Sequence, residues 1–160
     1  MEQEKRIAVV TGGNKGIGLE ICRQLASNGI MVILTARDEK RGLEVVENLK
    51  ACGLSGILFH QLEVTDQASI TSMADFIKNK FGKLDILVNN AGISGSIIDE
   101  DAQKRLKLVD VNGRSLSRNK LLWSEAKVVT EELIPLLQLS DSAKIVNVSS
   151  TLGQLEPRRS

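Results

Sequence analysis

The sequence contains no tyrosine, one histidine and two cysteines. Cys22 and Cys52 each fall within a helical pattern, and two thiols cannot build the cross-linked framework of a small secreted domain. We therefore expect buried or half-buried free thiols and a cytoplasmic location. His60 has no Cys, His or carboxylate partners at ligand spacing, so no metal site is predicted.

Strong charge imbalance and long apolar stretches are also missing. The chain has 21 basic and 20 acidic residues and a formal net charge of +1, which argues against nucleic acid or an anionic membrane as a partner. The charged start MEQEKR leads into a short apolar run, a pattern that fits neither a signal peptide nor a membrane span. With 160 residues, 42% of them apolar, a single domain with a sizeable core is expected.

The most informative stretch is TGGNKGIG at residues 11–18, between the apolar run Ile7–Val10 and a helical pattern that begins at Ile17. Glycines at such a strand–turn–helix junction permit unusual backbone angles and let the chain approach a pyrophosphate. Amide groups at the start of the following helix can then bind the anion. A tight turn before a surface helix would look similar, whereas a nucleotide-hydrolysing P-loop is disfavoured because the terminal GK[ST] is absent.

Five short apolar runs alternate with stretches of helical periodicity. Strands are predicted at residues 7–10, 31–34, 57–59, 84–88 and 144–148. Because the runs are continuous rather than alternating, they indicate a parallel sheet covered on both faces. Right-handed crossovers then give a doubly wound, Rossmann-like α/β fold with strand order 3-2-1-4-5.

The helices between these strands have recognisable ends. Asp38 and Asp66 are predicted caps of the second and third helices, and Asn28 with Gly29 ends the first. Residues 93–120 lack an apolar stripe and are predicted to be loop with at most a short helix. The predicted inward face of the second helix is Leu43, Val46 and Leu49, and Ile70, Met73 and Ile77 lie along one face of the third. Apolar residues recur at helical spacing in the first helix, at Ile17, Ile21 and Leu25, and in the last, at Val128, Val129, Leu133, Ile134 and Leu137.

Three further motifs follow strand ends. They are TAR at residues 35–37, NNAG at 89–92 and NVSS at 147–150. Since the carboxyl ends of parallel strands meet at one edge of the sheet, all three motifs join TGGNKGIG where open α/β folds bind ligands.

This combination resembles the short-chain dehydrogenase/reductase family. The wording NKGIGLEICRQLA and LIPLLQLSDSAKIVNVSS is similar to plant carbonyl reductases of the menthone and salutaridine reductase type. The resemblance implies a Rossmann domain over residues 1–160 that binds a nicotinamide cofactor and, with it, reduces a ketone or aldehyde on a small hydrophobic compound. It also implies two further strands after the fifth, so the domain is expected to be incomplete there, with an exposed strand edge that can pair with another copy.

The resemblance also assigns cofactor-binding residues, and charge favours NADP(H) over NAD(H). Arg37 ends the second strand where an NAD-binding protein would carry a carboxylate, and Lys15 lies in the glycine turn. Glu63 stands where the family usually has an aspartate near the adenine. The full predicted set is Gly12, Asn14, Lys15, Gly16, Ile17, Gly18, Arg37, Glu63, Val64, Asn90, Ala91 and Gly92.

The catalytic residues of the family are only partly present. Ser150 matches the serine that orients the substrate oxygen, but no tyrosine or lysine follows it, and Leu122 occupies the position of the family's asparagine. Two hypotheses therefore stand. One is an NADPH-dependent carbonyl reductase; the other is a catalytically inactive NADP(H)-binding fragment or truncated isoform.

Overall fold

The computed structural model describes residues 4–90 and 118–148, and for residues 118–125 it describes the backbone only. Strands and helices alternate through the first range, and the second holds a helix followed by a strand. In chain order they are β1 (Ile7–Val10), α1 (Gly16–Ser27), β2 (Met31–Ala36), α2 (Glu39–Ala51), β3 (Ile57–Gln61), α3 (Gln67–Lys80), β4 (Ile86–Asn89), α4 (Arg118–Leu137) and β5 (Lys144–Asn147).

The five strands form one parallel sheet in the order β3-β2-β1-β4-β5, which confirms the predicted fold class. Val10 pairs with Leu34 of β2 and with Val88 of β4, so the ends of these three strands lie side by side. Asn89 pairs with Asn147, which places the end of β5 at the same edge. The described residues of the motifs after the strands therefore share one edge of the sheet, as predicted.

Apolar side chains cover both faces of the sheet. One core cluster packs strand residues such as Val9 and Leu87 against α3 and α4. The other packs residues such as Val10 and Leu34 with α1 and α2. Because successive strand residues point to opposite faces, continuous apolar runs are required in a sheet buried on both sides.

The predicted helix caps are confirmed. Asp38 Oδ1 accepts a hydrogen bond from the Arg41 amide at 3.0 Å, and Asp66 Oδ1 accepts one from the Ala68 amide at 3.0 Å. Such bonds satisfy amide groups that have no partner within the helix. At the other end of α1, Gly29 follows Asn28 with a φ of 80°, a conformation that suits glycine.

The prediction for the inward face of α2 is wrong at Leu43, which is 48% exposed. Gly42 is buried instead, and a Cβ built on it would lie 1.9 Å from Phe59 Cε2. The Phe59 ring of β3 packs directly on Gly42, so any side chain at residue 42 would have to displace that ring. Apolar periodicity cannot find such a position, because glycine contributes no hydrophobic signal.

Two other expectations need correction. Cys52 is exposed, since it follows the last residue of α2 rather than facing the core. Residues 118–120, predicted to be loop, begin α4; the rest of the predicted loop up to 117 lies outside the described residues. Helix α4 carries the predicted apolar repeat, in which Val128 and Ile134 are 36% and 37% exposed. The buried face of the described part of α4 consists of Val129, Leu133, Leu136 and Leu137.

Strand β5 is far more exposed than the other strands. Ile145 and Val146 are 47% and 45% exposed, although they pair with the buried Leu87 and Val88 of β4. Consecutive strand residues face opposite sides, so both faces of β5 are open within the described part of the chain. In that same part, no helix is both long and apolar enough to cross a membrane.

The buried carboxylate of Asp85 joins several segments at the amino-terminal ends of the strands, opposite the edge that carries the motifs. It accepts hydrogen bonds from the Ile7 amide at 2.7 Å and the Ser140 hydroxyl at 2.6 Å, and Lys83 Nζ lies 3.8 Å away. Burial raises the pKa of Asp85, but the bonds from Ser140 and Ile7 and the charges of Lys83 and Arg6 outweigh it, so the net pKa is lowered.

Candidate functional site

The glycine turn after β1 is anchored to both neighbouring strands. The Thr11 amide donates to the Val88 carbonyl of β4 at 3.0 Å, and the Gly13 amide donates to the Thr35 carbonyl of β2 at 2.8 Å. The Thr35 hydroxyl in turn donates to the Val10 carbonyl at 2.9 Å. These bonds are buried, so the turn is held in place by the sheet itself.

Gly18 and Asn90 pack closely against each other and against the glycine turn. A Cβ built on Gly18 would lie 2.3 Å from the Gly12 carbonyl oxygen and 2.4 Å from Asn90 Nδ2. The Asn90 carboxamide donates to that same Gly12 oxygen at 3.1 Å, and the Asn90 amide donates to Thr11 Oγ1 at 2.9 Å. Only a glycine fits at residue 18, because any side chain would displace this bond.

Gly12 and Gly16 adopt positive φ angles of 64° and 59°, as expected of glycines in a phosphate-binding turn. Helix α1 begins at Gly16, and its N-cap Lys15 makes no side-chain capping bond. The first amide groups of a helix lack partners within the helix. The turn therefore presents backbone donors and a positive helix end, which fits a pyrophosphate.

Gly13 is a site residue that sequence reasoning missed. A Cβ on it would lie 2.8 Å from Leu34 Cγ and 3.0 Å from Cys22 Sγ, so it lets the turn sit directly on β2 and α1. Burial raises the pKa of the Cys22 thiol to about 12, which keeps it protonated and unreactive. The only sequence signal for Gly13 was the doubled glycine at the start of the motif.

The two predicted cations are solvent-facing. Lys15 precedes α1 and Arg37 follows β2, and both side chains are exposed. Within residues 4–90 and 118–148, neither makes an ion pair. Because β1 and β2 are adjacent and end in register, both cations lie at the edge that carries the glycine turn. They are available to an anionic group there.

Glu63 follows β3 in a well-bonded turn. Its amide donates to Ser69 Oγ at 2.9 Å, and its carboxylate accepts from the Thr65 hydroxyl at 3.0 Å. One oxygen of the Glu63 carboxylate therefore makes a hydrogen bond within the turn that follows β3. Val64, beside it, is half-buried against the core cluster of α3 and α4.

The two asparagines of NNAG have separate tasks. Asn90 holds the glycine turn, as described above. Asn89 Nδ2 donates to Thr130 Oγ1 of α4 at 3.1 Å and to Asn147 Oδ1 of β5 at 2.9 Å. The predicted cofactor-binding set included Asn90 but not Asn89, although the doubled asparagine is visible in NNAG.

Several predicted residues cannot be placed in this geometry. Ala91, Gly92 and Ser150 lie outside the described residues, and Leu122 belongs to the part of α4 described by its backbone only. Of the remaining predicted residues, Asn14 is half-buried in the turn and Ile17 is 61% exposed at the start of α1.

His60 is accounted for by local contacts. Its Nδ1 lies 2.7 Å from the Gln61 carbonyl oxygen, and its ring centroid lies 4.8 Å from that of Phe76. Among the residues that the structure describes, no group of three or more His, Cys, Asp or Glu side chains is arranged to hold a metal ion.

The chain belongs to the short-chain dehydrogenase family, whose model matches residues 6–159. It is 50% identical to salutaridine reductase of Papaver somniferum, over 96% of this chain and 57% of that protein. It is 52% identical to (+)-neomenthol dehydrogenase of Arabidopsis thaliana, over 97% of this chain and 57% of that protein. The chain thus spans a little over half the length of these relatives.

Solved structures share the fold. The structure of salutaridine reductase from Papaver somniferum superposes with a TM-score of 0.73 at 50% identity, covering 92% of this chain and 58% of that one. A metagenomic short-chain oxidoreductase in complex with NADP gives a TM-score of 0.69 at 26% identity, covering 91% of this chain and 62% of that one. The family resemblance predicted from the motifs is confirmed.

Proposed function

We propose that the protein is an NADPH-dependent reductase of a ketone or aldehyde carbonyl on a small hydrophobic compound. The observation that carries this proposal is the close packing of Gly12, Gly18 and Asn90, which fixes the backbone of the glycine turn at the start of α1, where a pyrophosphate would bind. The activities named in salutaridine reductase and neomenthol dehydrogenase support the substrate class.

For the cofactor, we propose NADP(H) rather than NAD(H). The turn amides and the N-terminus of α1 would hold the pyrophosphate, and Arg37 with Lys15 would face the 2′-phosphate of the adenosine. The NADP bound to a metagenomic relative of the same fold supports this choice. When bound, NADPH supplies the hydride that carbonyl reduction requires.

Catalysis is proposed by family implication alone. Ser150 matches the serine that orients the substrate oxygen, whereas the family's proton-donating tyrosine has no counterpart in a sequence without tyrosine. General acid catalysis typically contributes about 10²–10⁴-fold to the rate. The absence of tyrosine, together with the missing lysine and the leucine at the asparagine position, favours a second candidate, in which this chain binds NADP(H) without turnover.

The two candidates are separated by NADPH oxidation assays with menthone or a quinone, run beside a binding measurement on the same 160-residue chain. Turnover that disappears in Ser150→Ala supports the reductase. Saturable NADPH binding without turnover supports the non-catalytic candidate. Absence of NADPH binding contradicts both.

The cofactor choice is tested by Arg37→Asp, which replaces the proposed phosphate-binding cation by an anion. We expect the affinity for NADPH to fall by about 10- to 100-fold, roughly the loss of one charge-assisted bond plus repulsion, with little change for NADH. Lys78→Asp on α3 makes the same charge change at another exposed position and is the control. An unchanged preference for NADPH in Arg37→Asp would refute the assignment.

We also propose a cytoplasmic location, because Cys52 is an exposed free thiol and Cys22 a buried one. Free thiols of this kind persist in a reducing compartment. Non-reducing electrophoresis of the protein isolated with its thiols trapped checks this: free thiols agree with it, and a mixed or intermolecular disulfide at Cys52 does not.

A further inference from the structure

The turn that carries Arg37 is fixed on both sides of that residue. On one side, the Leu62 amide donates to the Ala36 carbonyl at 3.0 Å, the last backbone bond between β2 and β3. On the other side, Asp38 caps α2 through the Arg41 amide. Arg37 is the residue between these two anchors.

The carbonyl of Arg37 lies one step beyond the backbone ladder, and a side chain takes over there. Gln61 Nε2 donates to the Arg37 carbonyl oxygen at 3.0 Å. Gln61 is the last residue of β3 and pairs in register with Ala36, the residue before Arg37. Its carboxamide thus extends the strand pairing by one hydrogen bond to the backbone of Arg37.

The guanidinium of Arg37 has no such support. Its side chain is exposed and, in the described ranges of the chain, makes no ion pair. The position of the Arg37 Cα therefore decides where its long side chain can reach a ligand. If the backbone at Arg37 rotates, the cation moves relative to the glycine turn. A bound ligand then has to restrict this motion, which costs conformational entropy.

We propose that Gln61 is a positioning residue for cofactor selectivity: by holding the Arg37 carbonyl, it fixes the backbone from which the guanidinium reaches a 2′-phosphate. This inference rests on the proposed NADP(H) binding and deepens it. Gln61 itself does not touch the phosphate in this account. Its influence is transmitted through one main-chain hydrogen bond.

The test uses two probes that differ by one phosphate group, adenosine 2′,5′-bisphosphate and adenosine 5′-monophosphate, titrated calorimetrically into the full chain. Gln61→Met keeps the length of the side chain and removes the donor. We expect the ratio of the two dissociation constants, which measures preference for the 2′-phosphate, to fall by about 3- to 10-fold, the size of one hydrogen bond. The ratio is insensitive to the folded fraction, since both probes need the same folded site.

Gln24→Met is the matched control, because Gln24 is also exposed and donates to Glu20 at 3.0 Å on the outer side of α1. It should leave the ratio unchanged, while Arg37→Asp sets the largest possible loss. If the wild type prefers the bisphosphate and Gln61→Met keeps that preference, the inference is overturned while NADP(H) binding stands. Equal losses for both probes would also overturn it, since they indicate a purely structural role. A wild type without preference would overturn the inference and the cofactor assignment together.

Discussion

Strands β1 and β5 belong to the same sheet but are held very differently. The residues of β1 are at most 5% exposed, and the turn that follows them is bonded to β2 and β4. In β5, Ile145 and Val146 are nearly half exposed, and the strand is paired on the β4 side. The described residues proposed to contact the cofactor follow the ends of β1, β2, β3 and β4, whereas Ser150 follows β5 in the sequence. The proposed cofactor site therefore draws its described residues from the well-buried part of the sheet rather than from the strand that leads to the proposed catalytic serine.

The largest difference in the free energy of unfolding is expected when an isoleucine is shortened to alanine in the buried part of the sheet and, separately, in β5. Ile33 is fully buried at the centre of the sheet, so Ile33→Ala should lower the free energy of unfolding by about 2–5 kcal/mol. Ile145→Ala should cost about 1 kcal/mol or less, because half of that side chain is already in water. Urea denaturation measures both. Equal losses would show that β5 is covered in solution.

The next largest effect tests the interlock around the glycine turn. Gly18→Ala forces a Cβ against the Gly12 carbonyl and the Asn90 carboxamide, so we expect about 1–3 kcal/mol of destabilisation and a loss of NADPH affinity of about 100-fold. Gly29→Ala at the far end of α1 is the control: it meets no atom within 4 Å and costs only the strain of its positive φ, about 1–2 kcal/mol. Undiminished NADPH binding by Gly18→Ala would be incompatible with the interlock.

A smaller effect concerns Asp85, which joins β1 to the segment after α4 at the amino-terminal ends of the strands. Because its pKa is lowered by folding, its contribution to stability is present above the unfolded value of about 3.9 and is lost as the pH falls through the folded value. Asp85→Asn should cost about 1–3 kcal/mol at pH 7 and flatten the decline of stability in acid. Unfolding at a series of pH values, with the exposed Asp75→Asn as control, measures this. A decline as steep as that of the wild type would rule out Asp85 as its source.

The smallest effect tests whether the exposed strand pairs with another copy, as its open faces lead us to expect. Sedimentation at increasing protein concentration should show weak self-association of the wild type. Val146→Lys should abolish it by placing a charge on β5, whereas Leu139→Lys, which changes a side chain 65% exposed outside the sheet, should not. A wild type that stays monomeric at high concentration contradicts the expectation.

The sequence predicted most of the fold because each element carried its own signal. The apolar runs located all five strands, and the caps Asp38 and Asp66 located the starts of α2 and α3. The ends of β3 and β4 were underestimated, since the polar residues Gln61 and Asn89 continue these strands by backbone pairing that an apolar run does not reveal.

The site was predicted less completely than the fold. Motif glycines and Arg37 were visible in the sequence, but the side chains that hold them were not. Thr35, Gln61 and Asn89 act through hydrogen bonds to groups 25, 24 and up to 58 residues away along the chain. These partners lie on other segments of the chain, so a motif within one segment does not reveal them.

We propose that the glycine turn and the end of β2 together bind the dinucleotide. Hydrogen–deuterium exchange of the 160-residue chain, with and without saturating NADPH, tests this most directly. We expect NADPH to slow exchange in peptides covering residues 11–19 and 35–38 and to change exchange in β5 much less. Unchanged exchange at both segments under saturating NADPH, or protection confined to β5, would contradict it.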